Sequence, residues 1–500
     1  MTITLKLFQS SINKLFPSSA KCLPKNIAIA LSGGPDSMLL AWLFTKYKNS
    51  LSQSRDLNIH AITIDHDYRP ESASEALSLT KCMNRWGINH IIKKIDYEVD
   101  DPKTITNFEE VARTKRYDLM NQICNELDIP VLFLGHHRDD QLETFVQRLQ
   151  GNSSIFGLAG TRMTAIMPLA RDLTPLELSK YKKVRLMRPL LGFDKGDILE
   201  TCQENQIPVI IDPTNLDINL TKRNYLRNLF GEILPNKCNE FKVKNGNTTS
   251  FPYESIMKKE LINTQQVCIN LVDSLEEKAH NLYLWLVGAN LFHEYPSFSR
   301  LLIELPKKCF EGSNKFITSR FLYQKLYPYS TLKHYHWAYT KLERQLIPKI
   351  DHWLRSNPTN AFKCTMMNLK FEVSTKNSSI VMDINKTPLT RSELIKVERV
   401  VQITNGWSEW ILFDKRFWLR FKLKKKNHTT IKIIPYFHKS HHSMIDKSLS
   451  EQFEFDGRLN SLPVIINNDK IIALPTSNSH IDDIDCEWQL KYNKFDYNKK

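Results

Sequence analysis

Serines and an aspartate in a glycine-containing turn are the first residues whose types and spacing suit chemistry. The turn comprises Ser32, Gly33, Gly34, Pro35, Asp36 and Ser37. It follows the apolar run 27–31 and precedes apolar residues at helical spacing. The N–H groups and dipole of a helix N-terminus favour an anion, and glycines let a ligand approach the backbone. We expect a phosphate site, with an ordinary strand-to-helix turn as the alternative; neither the Walker A nor the dinucleotide-binding pattern is present.

A second polar cluster follows the apolar run 129–134. It comprises His136, His137, Asp139, Asp140 and Glu143. These residue types suit either a metal ion or the handling of a charged substrate. Because Asp139 and Asp140 are adjacent, they cannot share a helix face, and we expect one to point inward and the other to cap the helix.

Two arginines could place positive charge beside a phosphate. Arg113 and Arg116 lie three residues apart in a predicted helix and therefore share a face. On this pattern alone a solvated face is favoured, with Glu109 and Arg113 as an ordinary ion pair four residues apart.

The elements that position these residues alternate between strand and helix. Strands are expected within 27–31, 58–70, 89–97 and 129–135, with helices between them. One more helix and strand are expected within 187–217, and a basic helix within 219–235. This alternation predicts an α/β fold with a doubly wound parallel sheet. Ligands bind at the carboxyl ends of such strands, where Ser32–Ser37, Asp65–Arg69 and Gly135–Asp140 converge.

The chain is expected to have further regions after this unit. We predict an N-terminal helix or transit segment over 1–26, the catalytic unit over 27–235, a mostly helical region over 236–360 and a β-rich region over 361–500. A hairpin is expected to turn at Asn467–Asp469.

Composition narrows the partners. The net charge of +15 favours a polyanion, most often nucleic acid, with a basic proteome as the alternative. No apolar run is long enough to span a bilayer, so no membrane partner is expected. The first 35 residues lack Asp and Glu and contain an amphipathic stretch. We expect mitochondrial (matrix) import, with a cytoplasmic location and a packed native helix as the alternatives.

The turn and the later motifs together carry a family resemblance. Ser-Gly-Gly-x-Asp-Ser after a strand resembles the PP-loop ATP pyrophosphatases. The segments DHDYRPES, EEVARTKRY, GHHRDDQLETFVQRLQGNSSIFGLAG, RPLLGFDKGDI and DPTNLDINLTKRNYLRN occur in the order typical of tRNA(Ile)-lysidine synthetases. The resemblance is dense over 27–235 and weaker afterwards. It implies an ATP- and Mg²⁺-dependent ligase that adenylates C2 of cytidine 34 in the CAU anticodon of tRNA(Ile), after which free L-lysine displaces AMP.

The resemblance also implies roles for individual residues. It implies ATP binding by Ser32, Gly33, Gly34, Pro35, Asp36, Ser37, Asp65 and His66. It implies lysine or cytidine binding by His137, Asp139, Asp140, Glu143 and Arg116. Asp36, Arg113 and Asp140 are the expected catalytic residues, and Asp36 the expected Mg²⁺ ligand. Asp67 departs from the family, which usually has glycine there, and leaves the adenine-side geometry open.

Basic residues in two segments are expected to bind tRNA. They are Arg223, Arg227, Arg416, Arg420, Lys424 and Lys425. Asp212, Asn215, Arg223, Asn224 and Arg227 resemble the family's segment closing the catalytic unit, and helix caps and salt bridges are an equal alternative. The aromatic residues within 407–426 are expected to be mostly core.

Other functions leave different traces in a sequence. A tRNA 2-thiolase of the same superfamily is the main alternative, but none of the nine cysteines forms a C-x-x-C pair. A small-molecule synthetase of the NAD or GMP type would not need the positive charge. An inactive tRNA-binding protein would not keep chemically competent loops. A homodimer is compatible with these expectations.

Overall fold

The computed structural model describes most of the chain. The described residues are 2–16, 23–51, 57–66, 71–99, 104–169, 172–210, 218, 221–237, 257–330, 338–356, 360–424, 429–482 and 484–493. The chain divides into two compact units, Met1–Asn270 and Leu271–Lys500.

The first unit alternates strands and helices. Its strands are β1 (Asn26–Ala30), β2 (Asn58–Asp65), β3 (Asn89–Lys94), β4 (Val131–Phe133), β5 (Thr164–Ile166) and β6 (Arg185–Met187). Its helices are α1 (Leu5–Leu15), α2 (Pro35–Ser50), α3 (Ser72–Arg85), α4 (Phe108–Glu126), α5 (Arg138–Gln150), α6 (Ile155–Leu158), α7 (Pro175–Lys180), α8 (Lys195–Glu204) and α9 (Lys222–Asn228). Helix α10 (Lys258–Gly288) begins in the first unit and ends in the second.

A parallel sheet positions the polar loops of the first unit. Its strand order is β3-β2-β1-β4-β6-β5, in which only the edge strand β5 is antiparallel to its neighbour. Strand β1 is buried at Ile27, Ala28 and Ile29, as expected for a parallel strand covered on both faces. The chain leaves β1 toward β2 on one side and returns as β4 on the other. This reversal creates a crevice at the carboxyl ends of β1 and β4, and the predicted doubly wound sheet is confirmed.

One strand expected in this sheet is not found among the described residues. A strand was expected after α8, but residues 207–210 contain none in the described part of that segment. The fifth parallel strand is instead β6, which precedes α8. Pro208 has no N–H to donate to a ladder. The backbone N–H of Ile210 donates to the Gly33 carbonyl (2.9 Å), so this segment lies against the glycine turn.

The N-terminal helix α1 is part of the core of the first unit. Phe8, Ile12 and Leu15 are buried on one face. The Phe8 ring lies edge-on to Phe44 of α2, with ring centroids 5.1 Å apart. The amphipathic pattern therefore serves packing here, which is the alternative considered above. Mitochondrial import stays a prediction.

The second unit is richer in strands than expected. Its strands are β7 (Phe292–Tyr295), β8 (Arg300–Pro306), β9 (Phe362–Met366), β10 (Leu369–Lys376), β11 (Ser379–Lys386), β12 (Arg399–Ile403), β13 (Ile411–Phe413), β14 (Phe417–Leu423), β15 (Thr429–Pro435), β16 (Pro463–Asn467), β17 (Lys470–Leu474), β18 (Ser479–His480) and β19 (Cys486–Tyr492). Its further helices are α11 (Asn314–Leu326), α12 (Ala338–Lys341), α13 (Ile347–Arg355), α14 (Arg391–Val397), α15 (His438–His441) and α16 (Lys447–Gln452).

These strands form three antiparallel sheets. Their orders are β7-β8-β11-β10-β9, β12-β15-β16-β17-β18 and β13-β14-β19. The described part of the region 236–360 contains the predicted helices, but it also contains a hairpin of β7 and β8 that was not predicted. The alternating burial of β8 is typical of a sheet with one face in the core. The predicted C-terminal hairpin is confirmed: Asn468 and Asp469, with φ values of 46° and 58°, connect β16 to β17. Among the described helices, none is long and apolar enough to cross a membrane.

Candidate active site

The glycine turn after β1 has the geometry of an anion site. Gly33 has a φ of +83°, a conformation that L side chains rarely adopt, and Pro35 begins α2. The Ser37 hydroxyl accepts a hydrogen bond from the Ser32 backbone N–H (3.2 Å) and donates to the Gly34 carbonyl (3.1 Å). These contacts hold the turn so that the first N–H groups of α2 face the crevice. The geometry fits the predicted phosphate site.

Gly135, directly after β4, packs against the backbone of this turn. A Cβ atom added there would lie 3.0 Å from the Asp36 carbonyl carbon and 3.1 Å from the Ser37 nitrogen. Any side chain at this position would require one of the two chain segments to shift. Gly135 was expected at the strand end, but no role was predicted for it.

Asp36 is held by a lysine from a distant part of the chain. Its Oδ1 accepts a hydrogen bond from Lys195 Nζ (2.6 Å), and His137 Nε2 lies 3.6 Å away. Lys195 also donates from its backbone N–H to Asp139 Oδ2 (2.7 Å), while Lys258 Nζ binds Asp139 Oδ1 (2.7 Å). Neither lysine was predicted from the sequence to belong to the site. Lys195 belongs to the RPLLGFDKGDI motif, which was a usable signal, whereas Lys258 lies outside every motif.

Asp36 fits one side of a magnesium site. No group of three or more His, Cys, Asp or Glu side chains that could hold a metal occurs in the described part of the chain. Mg²⁺, however, commonly uses one or two carboxylates and completes its shell with water and substrate phosphates. A carboxylate at the first turn of α2, beside the expected phosphates, meets that requirement once Lys195 releases it.

Asp140 and Glu143 lie together on α5 and share two arginines. Arg223 donates from Nη2 to Asp140 and from Nε to Glu143 Oε2 (2.9 Å). Arg227 Nε donates to Glu143 Oε1 (3.2 Å). Arg223 and Arg227 were expected to bind tRNA, but here they form salt bridges with the predicted substrate carboxylates. That is the alternative considered for this segment.

The two adjacent aspartates of α5 face different partners, but Asp140, which caps the helix, is also the more buried of the two. Asp140 caps the helix by accepting the His137 backbone N–H at Oδ2 (3.0 Å), and Asp139 faces Lys195 and Lys258. Burial alone would raise the pKa of Asp140, but the charges of His137 and Arg223 outweigh it and lower the pKa to about 2. Asp140 is therefore an anion at neutral pH and can bind a cation.

A cavity of about 370 Å³ opens beside these carboxylates. It is lined by Glu109, Arg113, His136, Asp140, Thr144, Gln147, Arg148, Thr161, Arg188, Thr221, Lys222 and Arg223. Arginines and a lysine outnumber the two acidic residues of the lining. Burial lowers the pKa of Arg116, and Arg113 and Arg223 lower it further. Such crowded positive charge favours an anionic ligand.

The second predicted loop is only partly described. Asp65 is buried at the end of β2, and His66 Nδ1 lies 3.3 Å from the Tyr97 hydroxyl. Burial, followed by the charge of Arg116, lowers the pKa of His66 to about 4. Asp67, together with Asp212 and Asn215, lies outside the described residues.

The prediction that Arg416 in the C-terminal region binds tRNA is wrong. The Arg416 side chain is 3% exposed, and its guanidinium lies 2.6 Å from Asp414 Oδ2, so it cannot reach a phosphate. Arg420 lies over the rings of Trp407 (4.9 Å) and Trp410 (4.7 Å) and remains accessible. Lys424 is exposed, and Lys425 lies outside the described residues. As expected, Phe417, Trp418 and Phe421 are buried core residues.

One described cysteine approaches the glycine turn. The thiol of Cys202 lies 3.6 Å from the Pro35 carbonyl. Burial, followed by the charge of Asp36, raises its pKa to about 11. A nucleophilic cysteine needs a lowered pKa, so Cys202 does not have the properties of a thiolase nucleophile.

The chain is similar in sequence to known proteins. Residues 5–235 match the model of the PP-loop domain. A probable tRNA(Ile)-lysidine synthase from Schizosaccharomyces pombe is 24% identical over 484 residues, which is 95% of each chain. The tRNA(Ile)-lysidine synthase from Rickettsia prowazekii is 31% identical over 223 residues, or 44% of this chain and 45% of that protein.

Among solved structures, a U34-tRNA thiolase from Methanococcus maripaludis matches 53% of this chain and 80% of its own. It has 14% identity and a TM-score of 0.37. The chain thus matches nearly the full length of the fission yeast relative but less than half of the Rickettsia one. It contains a PP-loop domain, and the fission yeast and Rickettsia relatives that it matches are described as a probable tRNA(Ile)-lysidine synthase and a tRNA(Ile)-lysidine synthase.

Proposed function

We propose that this protein is a tRNA(Ile)-lysidine synthase that uses ATP, free L-lysine and a tRNA(Ile) with a CAU anticodon. The observation that carries the proposal is the meeting of three features at one sheet edge: the glycine turn after β1, the carboxylates of α5 and the cationic cavity. The similarity to the fission yeast relative over 95% of the chain supports it.

The first reaction step needs a phosphate cradle beside a cationic pocket. The turn Ser32–Ser37 binds the leaving pyrophosphate with backbone N–H groups and hydroxyls. The C2 oxygen of cytidine 34 attacks the α-phosphorus of ATP, and the bond to pyrophosphate breaks. Arg113, in the cavity, faces the negative charge that develops on the phosphoryl oxygens. Mg²⁺ on Asp36 would neutralise charge on the leaving group.

The second step needs anions that hold the lysine substrate. Asp140 and Glu143 bind ammonium groups of lysine, for which they must give up contacts with Arg223 and Arg227. The ε-amine then attacks C2, the bond from C2 to oxygen breaks and AMP leaves. The amine loses a proton in this step, so that a carbon–nitrogen bond replaces the carbon–oxygen bond.

Binding of the tRNA body is proposed for the exposed basic residues. Arg420, stacked on two tryptophans, and the exposed Lys424 suit phosphates and unpaired bases. A mitochondrial location and a homodimer remain proposals that rest on the N-terminal composition and on the resemblance.

The test is a labelling experiment with the full chain. The protein is incubated with ATP, Mg²⁺, labelled lysine and unmodified tRNA(Ile) with a CAU anticodon, and the RNA is then treated with mild alkali. We expect the label to survive, because lysine is joined to a base carbon rather than through an ester. Asp140→Asn should abolish labelling, whereas Asp128→Asn, in an exposed pair with Lys182, should not.

Other outcomes would contradict the proposal in distinct ways. Label that is lost in alkali would indicate an aminoacyl ester. If tRNA-dependent release of AMP and pyrophosphate occurs without label, adenylation stands and lysine is wrong as the nucleophile. As a control, a tRNA(Ile) with a GAU anticodon should give neither labelled RNA nor tRNA-dependent release of AMP and pyrophosphate.

A further inference from the structure

The two adjacent histidines after β4 have different charged partners. His137 lies among carboxylates, with Nε2 3.6 Å from Asp36 and 3.5 Å from Asp140. His136 is also influenced by the carboxylate of Asp140, but its Nδ1 accepts a hydrogen bond from Nε of Arg188 (3.1 Å), and the charges of Arg223 and Arg113 act on it as well. When neighbouring titratable groups are placed in contrasting environments, their roles usually differ.

Arg188 is held in place independently of any ion pair. Its side chain is buried, with 6% of the residue exposed. Its Nη1 donates to the Arg162 carbonyl (2.8 Å), and its Nε points at His136. Within the described residues, no carboxylate forms a salt bridge with it. A buried arginine that carries its charge into a cavity and contacts only neutral acceptors is suited to orient a neighbour and to meet an anion.

The hydrogen bond from Arg188 determines the tautomer of His136. A guanidinium nitrogen can only donate, so Nδ1 must be the acceptor and the neutral ring carries its proton on Nε2. Burial lowers the pKa of His136 to about 4; the charge of Asp140 opposes this, and those of Arg188, Arg223 and Arg113 reinforce it. The ring is therefore neutral at physiological pH. It is a poor acceptor for the proton that the lysine amine loses.

The Nε2 proton of His136 is available to a ligand that binds in the cavity. His136 lines the cavity together with Arg113, Lys222 and Arg223. Across the described part of the chain, Nε2 has no hydrogen-bond acceptor. Asp140 and Glu109 also line this cavity, but its cationic side chains outnumber them. A neutral N–H donor in such a cavity complements a phosphate oxygen better than it complements a cation.

We propose that His136 is a neutral hydrogen-bond donor to a phosphate oxygen of the substrates, and that Arg188 is the positioning residue that sets its tautomer. The phosphate comes either from ATP or from the tRNA backbone. The assignment of that ligand rests on the proposed function, but the tautomer and its cause do not.

The test is nuclear magnetic resonance of the full chain with ¹⁵N-labelled histidine, in which His136→Gln assigns the signal. We expect a neutral ring protonated on Nε2 throughout pH 5.5–8, in which range a histidine with an ordinary pKa of about 6.5 would titrate. Arg188→Met should allow the His136 ring to carry its proton on either nitrogen and should raise the pKa of His136. Arg148→Met, in the same cavity but without contact to His136, should change neither.

Two further measurements identify the source of the phosphate and test the role of His136 as a hydrogen-bond donor. A non-hydrolysable ATP analogue with Mg²⁺ and the tRNA alone are titrated separately, and the one that shifts the Nε2 signal is the source of the phosphate. In kinetics, His136→Phe should lower kcat about 100-fold, the usual loss of one aligned donor. His136→Gln, which keeps a neutral donor, should recover most of that loss, and Arg188→Lys should be less impaired than Arg188→Met.

The proposal is overturned if the ring is protonated on Nδ1, if it titrates near pH 6.5, or if neither ligand moves the Nε2 signal. Equal loss of kcat in His136→Gln and His136→Phe would also overturn it. If the chain fails to form lysidine while the tautomer and its dependence on Arg188 are as expected, the proposed function fails and the positioning role stands.

Discussion

Replacing Gly135 by alanine should damage ATP binding although residue 135 donates no side chain to the site. The added Cβ would lie 3.0 Å from the Asp36 carbonyl carbon, 3.1 Å from its oxygen and 3.1 Å from the Ser37 nitrogen. All of these are backbone atoms, so no side-chain rotation relieves the contact. The end of β4 or the first turn of α2 must move, and such overpacking costs about 1–3 kcal/mol of unfolding free energy.

The displacement falls on the N–H groups that we expect to bind phosphate. Losing one hydrogen bond to a charged oxygen costs about 1.5–3 kcal/mol, which corresponds to roughly 10- to 150-fold weaker ATP binding. The melting temperature should fall by about 2–4 °C for each kcal/mol lost. Calorimetric titration with a non-hydrolysable ATP analogue measures the Kd, and thermal unfolding measures the stability.

The matched control is Gly231→Ala. A Cβ atom there meets open space, and Gly231 does not have a positive φ, so Kd and melting temperature should stay near those of the wild type. If Gly135→Ala binds the ATP analogue with unchanged Kd and has the melting temperature of the wild type, the inference that the end of β4 packs closely against the turn is wrong.

Further predictions concern the acid limit of stability, the N-terminal helix and the arginines at the carboxylates. The pKa of Asp140 falls from 3.8 to about 2, so its ionised form contributes about 2–3 kcal/mol of unfolding free energy. That contribution is complete above about pH 4 and is lost between about pH 4 and 2, which acid titration of stability should show. Phe8→Ala removes a fully buried ring and should cost about 3–5 kcal/mol of unfolding free energy, measured by chemical denaturation. Arg227→Gln removes an internal competitor at Glu143 and should lower KM for lysine about two- to fivefold, as expected for a half-exposed ion pair, with KM for ATP unchanged.

Each of these predictions has a comparison that can refute it. Asp140→Asn should flatten the acid dependence, and an unchanged slope would exclude Asp140 as its source. Leu7→Ala, on the more exposed face of α1, should cost far less than Phe8→Ala; equal costs would mean that α1 is not docked. A higher KM for lysine in Arg227→Gln would show that the guanidinium assists lysine instead of competing with it, and Arg355→Gln, in the exposed pair with Asp351, is the control.

Several features of the site could be predicted from local sequence. The turn Ser32–Ser37 was predictable because glycine, proline and a helix-capping pattern act within a few residues of one another. The order of strands and helices also predicted that the ends of β1 and β4 meet. The strand β6 was missed because three residues of mixed character carry too little periodicity, and the hairpin β7–β8 was missed because it interrupts a helical region.

The sequence by itself predicted most elements of the first unit, the glycine turn after β1 and the family resemblance, because each depends on neighbouring residues. The tertiary structure alone decided which charge meets which. Lys195 reaches Asp36 across 159 residues, and Lys258 reaches Asp139 across 119. The tertiary structure also placed Arg223 on Asp140 and Glu143 and buried Arg416. It gave His136 and His137 different charged partners. Such pairings depend on the packing of distant segments, and no local pattern encodes the distance between two side chains that only the fold brings together.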